Sequence, residues 1–263
     1  MRLHRRDGGF SLVELVAMLA IMAVLGTMTM GFLRNMFDQY RTTEGLAKLS
    51  TSARVVAEQF TRYVRQAVPN SVRISSTGHC LEFLPTVKAV PYLGQVPTSS
   101  NGLSAANQIA VSIANPPSPV PPHAVIAPGS SSEIYQTSQP AARANVSAVS
   151  ASAVTLSAAH QFLNNSVSSR LYLAEAPKIY CMVSQELRLY EGYTFFSSAL
   201  VGPPSGGSNS LVASGTSASG GSAIFSLATD TNSGYDVVSL SMVLTERDWS
   251  LPLKQAVVIR NAP

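Results

Sequence analysis

The chain has 263 residues, of which 46% are hydrophobic and only 12% charged, and its formal net charge is +4. Half of that excess comes from Arg2, Arg5 and Arg6 set against Asp7 at the extreme N-terminus. The rest therefore has no basic field of the kind nucleic-acid binding needs. Sparse charge with abundant Ser, Ala, Gly and Pro suits an extracytoplasmic β-rich domain with long loops better than a cytosolic enzyme.

Residues 1–9 form a short basic leader. From Phe10 to Leu33 the chain is apolar, and Glu14 is its one ionisable residue. As a helix this stretch is ~36 Å long, enough to cross a hydrocarbon core of ~30 Å with some tilt. The basic leader stays on the cytoplasmic side, which places the C-terminal bulk in the periplasm. A secretory signal peptide would have a shorter apolar region closed by a small-residue cleavage site, and no such pattern follows here. An acid at a helix centre costs ~2.5–3.5 kcal/mol to insert, less near the end where Glu14 lies, so it calls for a partner. Cleavage between Gly9 and Phe10 would create an amino group four residues from Glu14. The same amine on a neighbouring chain, shifted along the axis, would neutralise it.

The run Gly9-Phe10-Ser11-Leu12-Val13-Glu14-Leu15 resembles the type IV prepilin cleavage motif, G-F-[ST]-L-[IV]-E. In that family a membrane aspartyl protease, the prepilin peptidase, cuts after the glycine and methylates the new N-terminus. The glutamate then pairs with the amine of an adjacent pilin. The resemblance implies Gly9 as the cleavage residue, Phe10 as the N-methylated terminus and Glu14 as the assembly residue. It also implies residence in the bacterial inner membrane as a single-pass protein with a periplasmic C-terminal domain, and then in a pilus filament. The implied partners are the prepilin peptidase and other minor and major pilins.

Residues 34–68 continue as an amphipathic helix, the periplasmic half of one long helix. Ala53, Val56, Ala57, Phe60, Tyr63, Val64 and Ala67 recur at spacings of three and four. Pro69 ends it for want of an amide hydrogen. Gly26, Gly31 and Gly45 mark candidate sites of kinking or local melting, since Gly costs ~1 kcal/mol against Ala inside a helix. Met18, Met22, Met28 and Met30 read as packing residues, not a metal site.

Residues 69–263 form one enlarged β-rich domain. Strands are predicted at Ser71–Ser75, Cys80–Leu84, Val87–Val96 with an interruption at Pro91, Asn107–Ile113 and Glu133–Gln136, with a hairpin over Asn145–Leu156. Further strands are expected at Arg170–Ala174, Lys178–Val183 and Glu186–Tyr190. The Gly/Ser/Pro-rich stretch Val201–Gly221 reads as a mobile loop. Strands resume at Ala223–Ala228, Val237–Thr245 and Gln255–Arg260. In the middle one Val238, Leu240, Met242 and Leu244 share the more apolar face and should point inward, against the helix. Cys80 and Cys181, the only cysteines, should pair in an oxidising periplasm, the alternative being two buried free thiols. Closing so long a loop removes ~4.7 kcal/mol of unfolded-state entropy in the simplest account.

The runs Pro69–Arg73, Cys80–Phe83, Leu171–Leu173 and Ile179–Cys181, and the ending Val258–Pro263, are similar to minor pilins of the mannose-sensitive haemagglutinin (MSHA) pilus. That resemblance implies an α+β, pilin-like α/β-roll: a long N-terminal helix, its first half transmembrane, packed on an antiparallel sheet and stapled by a Cys80–Cys181 bridge. Competing expectations are a type II secretion pseudopilin of the J kind and a pilus-tip adhesin whose 101–221 loops bind a carbohydrate or a surface.

No enzyme is expected, nor any cofactor. The histidines are His4, His79, His123 and His160, and the sequence holds no metalloprotease, nucleophile-elbow or phosphate-loop pattern. His79 beside Cys80 reads as a turn residue rather than half of a thiol dyad. The oxygen-rich Asp230–Asp236 stretch departs from a calcium-loop register and reads as a polar turn, with calcium the minor alternative. Trp249 is either a surface anchor or a partly buried aromatic. The Asn145 and Asn164 sequons read as chance.

Overall fold

The computed structural model describes residues 11–195, 199–221, 223–230 and 234–260. The chain divides into two compact units, Met1–Lys48 and Leu49–Pro263. Helix α1 (Leu12–Arg65) contributes to both.

In the first unit the helix is regular throughout. Gly26, Gly31 and Gly45 neither kink it into separate segments nor melt it. The hydroxyls of Thr27 and Thr29 donate to the carbonyls of Val24 and Leu25 at 2.9 and 2.7 Å, so these polar groups are satisfied within the helix. Its apolar window has a mean hydropathy of 2.1 and buries nothing. This one N-terminal helix is long and apolar enough to span a membrane.

In the second unit the remainder of α1 lays the expected stripe into a core. Ala53, Val56, Phe60 and Val64 are buried, while Arg54, Glu58, Arg62 and Arg65 face outward. The helix stops four residues before Pro69. There the backbone crosses to the sheet: the Val68 amide donates to the Leu84 carbonyl at 2.8 Å, and the Gln66 carbonyl accepts from Thr86 at 2.7 Å.

The strands follow in order: β1 (Arg73–Ile74), β2 (Cys80–Phe83), β3 (Thr86–Pro91), β4 (Ala106–Ala110), β5 (His123–Ile126), then a one-turn helix α2 (Ser131–Tyr135). Next come β6 (Arg143–Val149), β7 (Ala153–His160), β8 (Arg170–Ala174), β9 (Lys178–Val183), β10 (Glu186–Glu191), β11 (Ser208–Ser214), β12 (Thr216–Ala218), β13 (Phe225–Asp230), β14 (Tyr235–Glu246) and β15 (Trp249–Arg260). All ladders between these strands are antiparallel.

Three sheets result. One has the order β1-β2-β9-β10-β11. A second places β12 and β13 along one side of β14 and β15 along the other. Both pack on the α1 stripe, and Leu81, Phe83, Tyr180, Val238, Leu240, Met242 and Leu244 share one core with Val56 and Phe60. The β14 face expected to turn inward is the buried one. The third sheet, β3-β8-β5-β6-β7-β4, is an insertion between β2 and β9. This lobe has its own core, which includes Ile109, Ile126, Val154, Phe162, Leu171 and Leu173.

Several expectations are corrected. Val201–Gly221 is not a loop throughout, because residues 208–214 and 216–218 are strands. The edge of β10 offers unpaired backbone groups, and a polar, small-residue segment suffices to pair with them. Gly207, at φ +76°, makes this approach possible, since a Cβ there would lie 2.3 Å from the Glu191 carbonyl oxygen. Glu133–Gln136 is not a strand. It ends a single helical turn, Ser131–Tyr135, closed by the Gln136 amide donating to the Ser132 carbonyl, with Ile134 and Tyr135 both fully buried. Strand β3 stops at Pro91, short of Val96. β5, buried at every position, is a further strand that begins directly after Pro121 and Pro122.

Candidate functional site

Gly9 and Phe10 lie outside the described residues. Glu14 sits in the first turn of α1, exposed, and the Ser11 carbonyl accepts from the Glu14 and Leu15 amides at 3.0 and 3.1 Å. Its surroundings on the helix are exposed apolar side chains: Leu12, Val13, Leu15, Val16 and Met18 are each more than half accessible. An ionised carboxylate among apolar side chains of a membrane-length helix calls for a counter-charge or for water.

Cys80 and Cys181 are bonded to each other. They face one another as opposed residues of β2 and β9, with Cα atoms 4.2 Å apart. Both sulfurs are buried, on the side of the sheet away from α1, among Ile179, Tyr193 and Leu200. Because Cys80 is oxidised, the His79–Cys80 thiol-dyad alternative falls away.

The same side of β2 holds Glu82, which is fully buried. Arg73, directly opposite on β1, donates through Nε to Glu82 Oε2, and the Tyr193 hydroxyl donates to Oε1 at 2.8 Å. Burial raises the Glu82 carboxyl above its ordinary value, and Arg73 only partly offsets this. The Arg73 guanidinium also lies 3.8 Å from the centre of the Tyr135 ring. Desolvation raises the Tyr135 and Tyr193 hydroxyls as well. This network sits in packed protein with every charged oxygen occupied, so it reads as a structural clasp rather than a catalytic pair. The sequence shows Glu82 only as an acid inside an apolar strand. Its partner on β1 emerges from register, which no local pattern reveals.

A second cluster lies where β5 and β6 meet. His123 Nδ1 is 3.1 Å from Asn145 Oδ1, which also accepts from Arg143 at 3.1 Å. The Phe195 ring contacts the His123 edge at 4.7 Å between centres, and Arg143 stacks 3.8 Å over it. Burial, followed by the Arg143 charge, lowers the His123 pKa to about 4. A neutral, hydrogen-bonded core histidine fits that setting better than an acid–base catalyst. Among the described residues no three His, Cys, Asp or Glu side chains gather as a metal site. The Asp230–Asp236 stretch lies partly outside the described residues. Asp230 and Tyr235 pair across the β13–β14 ladder.

No family model, no curated protein and no solved structure matches this chain. What fold and site define is a coarse class: an α+β chain of antiparallel sheets carrying one buried disulfide and one exposed, membrane-length N-terminal helix with a single acid near its start.

Proposed function

We propose that this protein is a minor pilin of an MSHA-type type IV pilus, of the MshO kind, processed after Gly9 and taking part in filament initiation or assembly. The observation that carries the reading is Glu14, alone in an exposed apolar helix directly after a Gly-Phe junction. The precursor waits in the inner membrane. Removal of the leader frees the Phe10 amine, and the helix can exchange lipid for other pilin helices with little loss of apolar burial. At 4 Å and an effective dielectric of 20, a carboxylate–ammonium pair gains ~4 kcal/mol before desolvation is subtracted. Its net worth is then chiefly in register, because a wrong stagger leaves the acid unpaired in an apolar setting. The α+β body, with helix and antiparallel sheets sharing one core, is compatible with a pilin-like roll carrying an inserted lobe.

The experiment is Glu14→Ala in the native host. The variant should insert and lose its leader as the wild type does, but should fail to co-purify with the other pilins. Wild-type recovery of those partners by the variant would remove the assembly role from Glu14. An intact leader on filament-borne wild-type protein, read by mass spectrometry, would remove the processing step.

A further inference from the structure

We propose that the groove between the end of α1 and the β3–β8 pair binds a carboxylated sugar, a uronic or sialic acid residue. The inference stands on the groove alone and does not depend on the pilin reading. It is built on strand and helix-end residues, of which Arg170 and Tyr172 fall within the 101–221 stretch to which the sequence assigned surface binding.

The groove has a volume of about 430 Å³, within the size range of small-molecule sites. Arg65 and Gln66 line it from the helix side, and Thr86, Arg170 and Tyr172 from the sheet side. Register explains the second set. Thr86 pairs with Ala174, so residues 86, 170, 172 and 174 share one face, while Leu171 and Leu173 turn into the lobe core. A bulge between Thr86 and Lys88 leaves Val87 without a partner and sets it at the rim, 43% exposed. Buried Ala67, Pro69 and Ile259 supply an apolar floor.

The lining is rich in donors and, among the described residues, holds no carboxylate. Arg65 and Arg170 make no ion pair with the described residues, and the helix-end carbonyls that might occupy Arg65 accept from the backbone instead. Those of Arg62 and Tyr63 accept from Gln66, and that of Val64 accepts from Ala67. The polar hollow beside His160 offers a contrast. There Gln136, Gln139, Arg143 and His160 already bond to protein carbonyls. Two guanidinium groups from different elements suit a carboxylate. The neutral hydroxyls of Thr86 and Tyr172 and the amide of Gln66 in the same lining suit ring hydroxyls, and the apolar floor suits a sugar's C–H face. A bare phosphate would leave most of the volume and the floor unused.

The test is calorimetric titration of the full chain in detergent micelles with N-acetylneuraminate, glucuronate, glucose and inorganic phosphate. One or both acidic sugars should bind and glucose should not. Arg170→Ala and Arg65→Ala, both at exposed positions, should each weaken binding by about tenfold or more. Affinity should also fall with added salt. No heat from either acidic sugar, phosphate binding as tight as theirs, or unchanged binding in both arginine variants would overturn the proposal.

Discussion

The two β regions of this protein solve the same problem with different means. The β1-β2-β9-β10-β11 and β14-centred sheets bury their inner faces against a helix whose stripe carries Val56, Phe60 and Val64. A buried disulfide and a buried ion pair reinforce the outer side of the first. Among the described residues the inserted lobe has no helix in its core and no disulfide; it relies on Val, Ile and Leu side chains with Tyr92 and Phe162, all from its own strands and loops. The first region joins a helix and two sheets through one core and staples one of those sheets covalently, whereas the second packs around a single sheet. Single substitutions should therefore cost more in the helix-backed region, and four measurements break or sharpen that contrast.

The largest effect is expected at Phe60. Its ring lies 6.3 Å from that of Tyr180 and 6.2 Å from that of Phe225, so one side chain serves both sheets. Phe60→Ala should cost about 3–5 kcal/mol in denaturant unfolding. The same truncation at the fully buried lobe ring, Phe162→Ala, should fall at or below the lower end of that range, about 3 kcal/mol. A comparable loss at both sites would erase the distinction.

Arg73→Met comes next. It leaves Glu82 buried without its cation and should destabilise by about 3–5 kcal/mol at neutral pH. Pairing it with Glu82→Leu should restore much of that loss, since an apolar pair replaces a buried ionic one. Failure of the double variant to recover would mean that Tyr193, rather than Arg73, holds this side of the sheet together.

In the lobe, His123 gives a pH signature. Its folded pKa, about 4, lies below the ordinary 6.5. The stability tied to its neutral form is thus complete above about pH 6.5 and is lost as pH falls toward 4. The gap corresponds to about 3 kcal/mol. Urea unfolding of wild type and His123→Gln across that range should show a smaller acid loss in the variant. Glu82 works the other way, because its raised pKa favours the fold as pH falls into its window. The difference between the two proteins isolates His123, and parallel curves would refute its part.

The smallest effect should come from Tyr180→Phe. The Tyr180 hydroxyl is buried without a hydrogen-bond partner among the described residues, and an unsatisfied polar group costs about 1–3 kcal/mol. The variant should be as stable as wild type or up to about 1 kcal/mol more stable. A clear loss would reveal a partner for that hydroxyl.

The same contrast governs what could be read in advance. The helix stripe was legible because Val56, Phe60, Tyr63 and Val64 differ sharply from Arg54, Glu58 and Arg62 at helical spacing. The β14 face was legible because Val238, Leu240, Met242 and Leu244 alternate with smaller or more polar residues. The lobe offers little such contrast. β6 and β7 are mixtures of Ala, Val, Ser and Thr, and only their hairpin could be read. β11 was illegible in principle, since its pairing follows from an open edge on β10 and not from its own side chains. Of the candidate sites, Glu14 and the cysteines stood out by type and scarcity. The Glu82 clasp and the arginine-lined groove exist only once distant strands are placed side by side.

The position of the Cys80–Cys181 bond has a mechanical consequence. The lobe leaves the first sheet just after Phe83 and returns just before Lys178, and those two residues pair. A pull on the lobe would begin to unzip β2 from β9 at that rung, then at Glu82–Ile179 and Leu81–Tyr180, and would there reach a covalent stop. Tension on the lobe is thereby kept from peeling the strands further, and a shearing surface load could deform the lobe while the helix-backed body keeps its register.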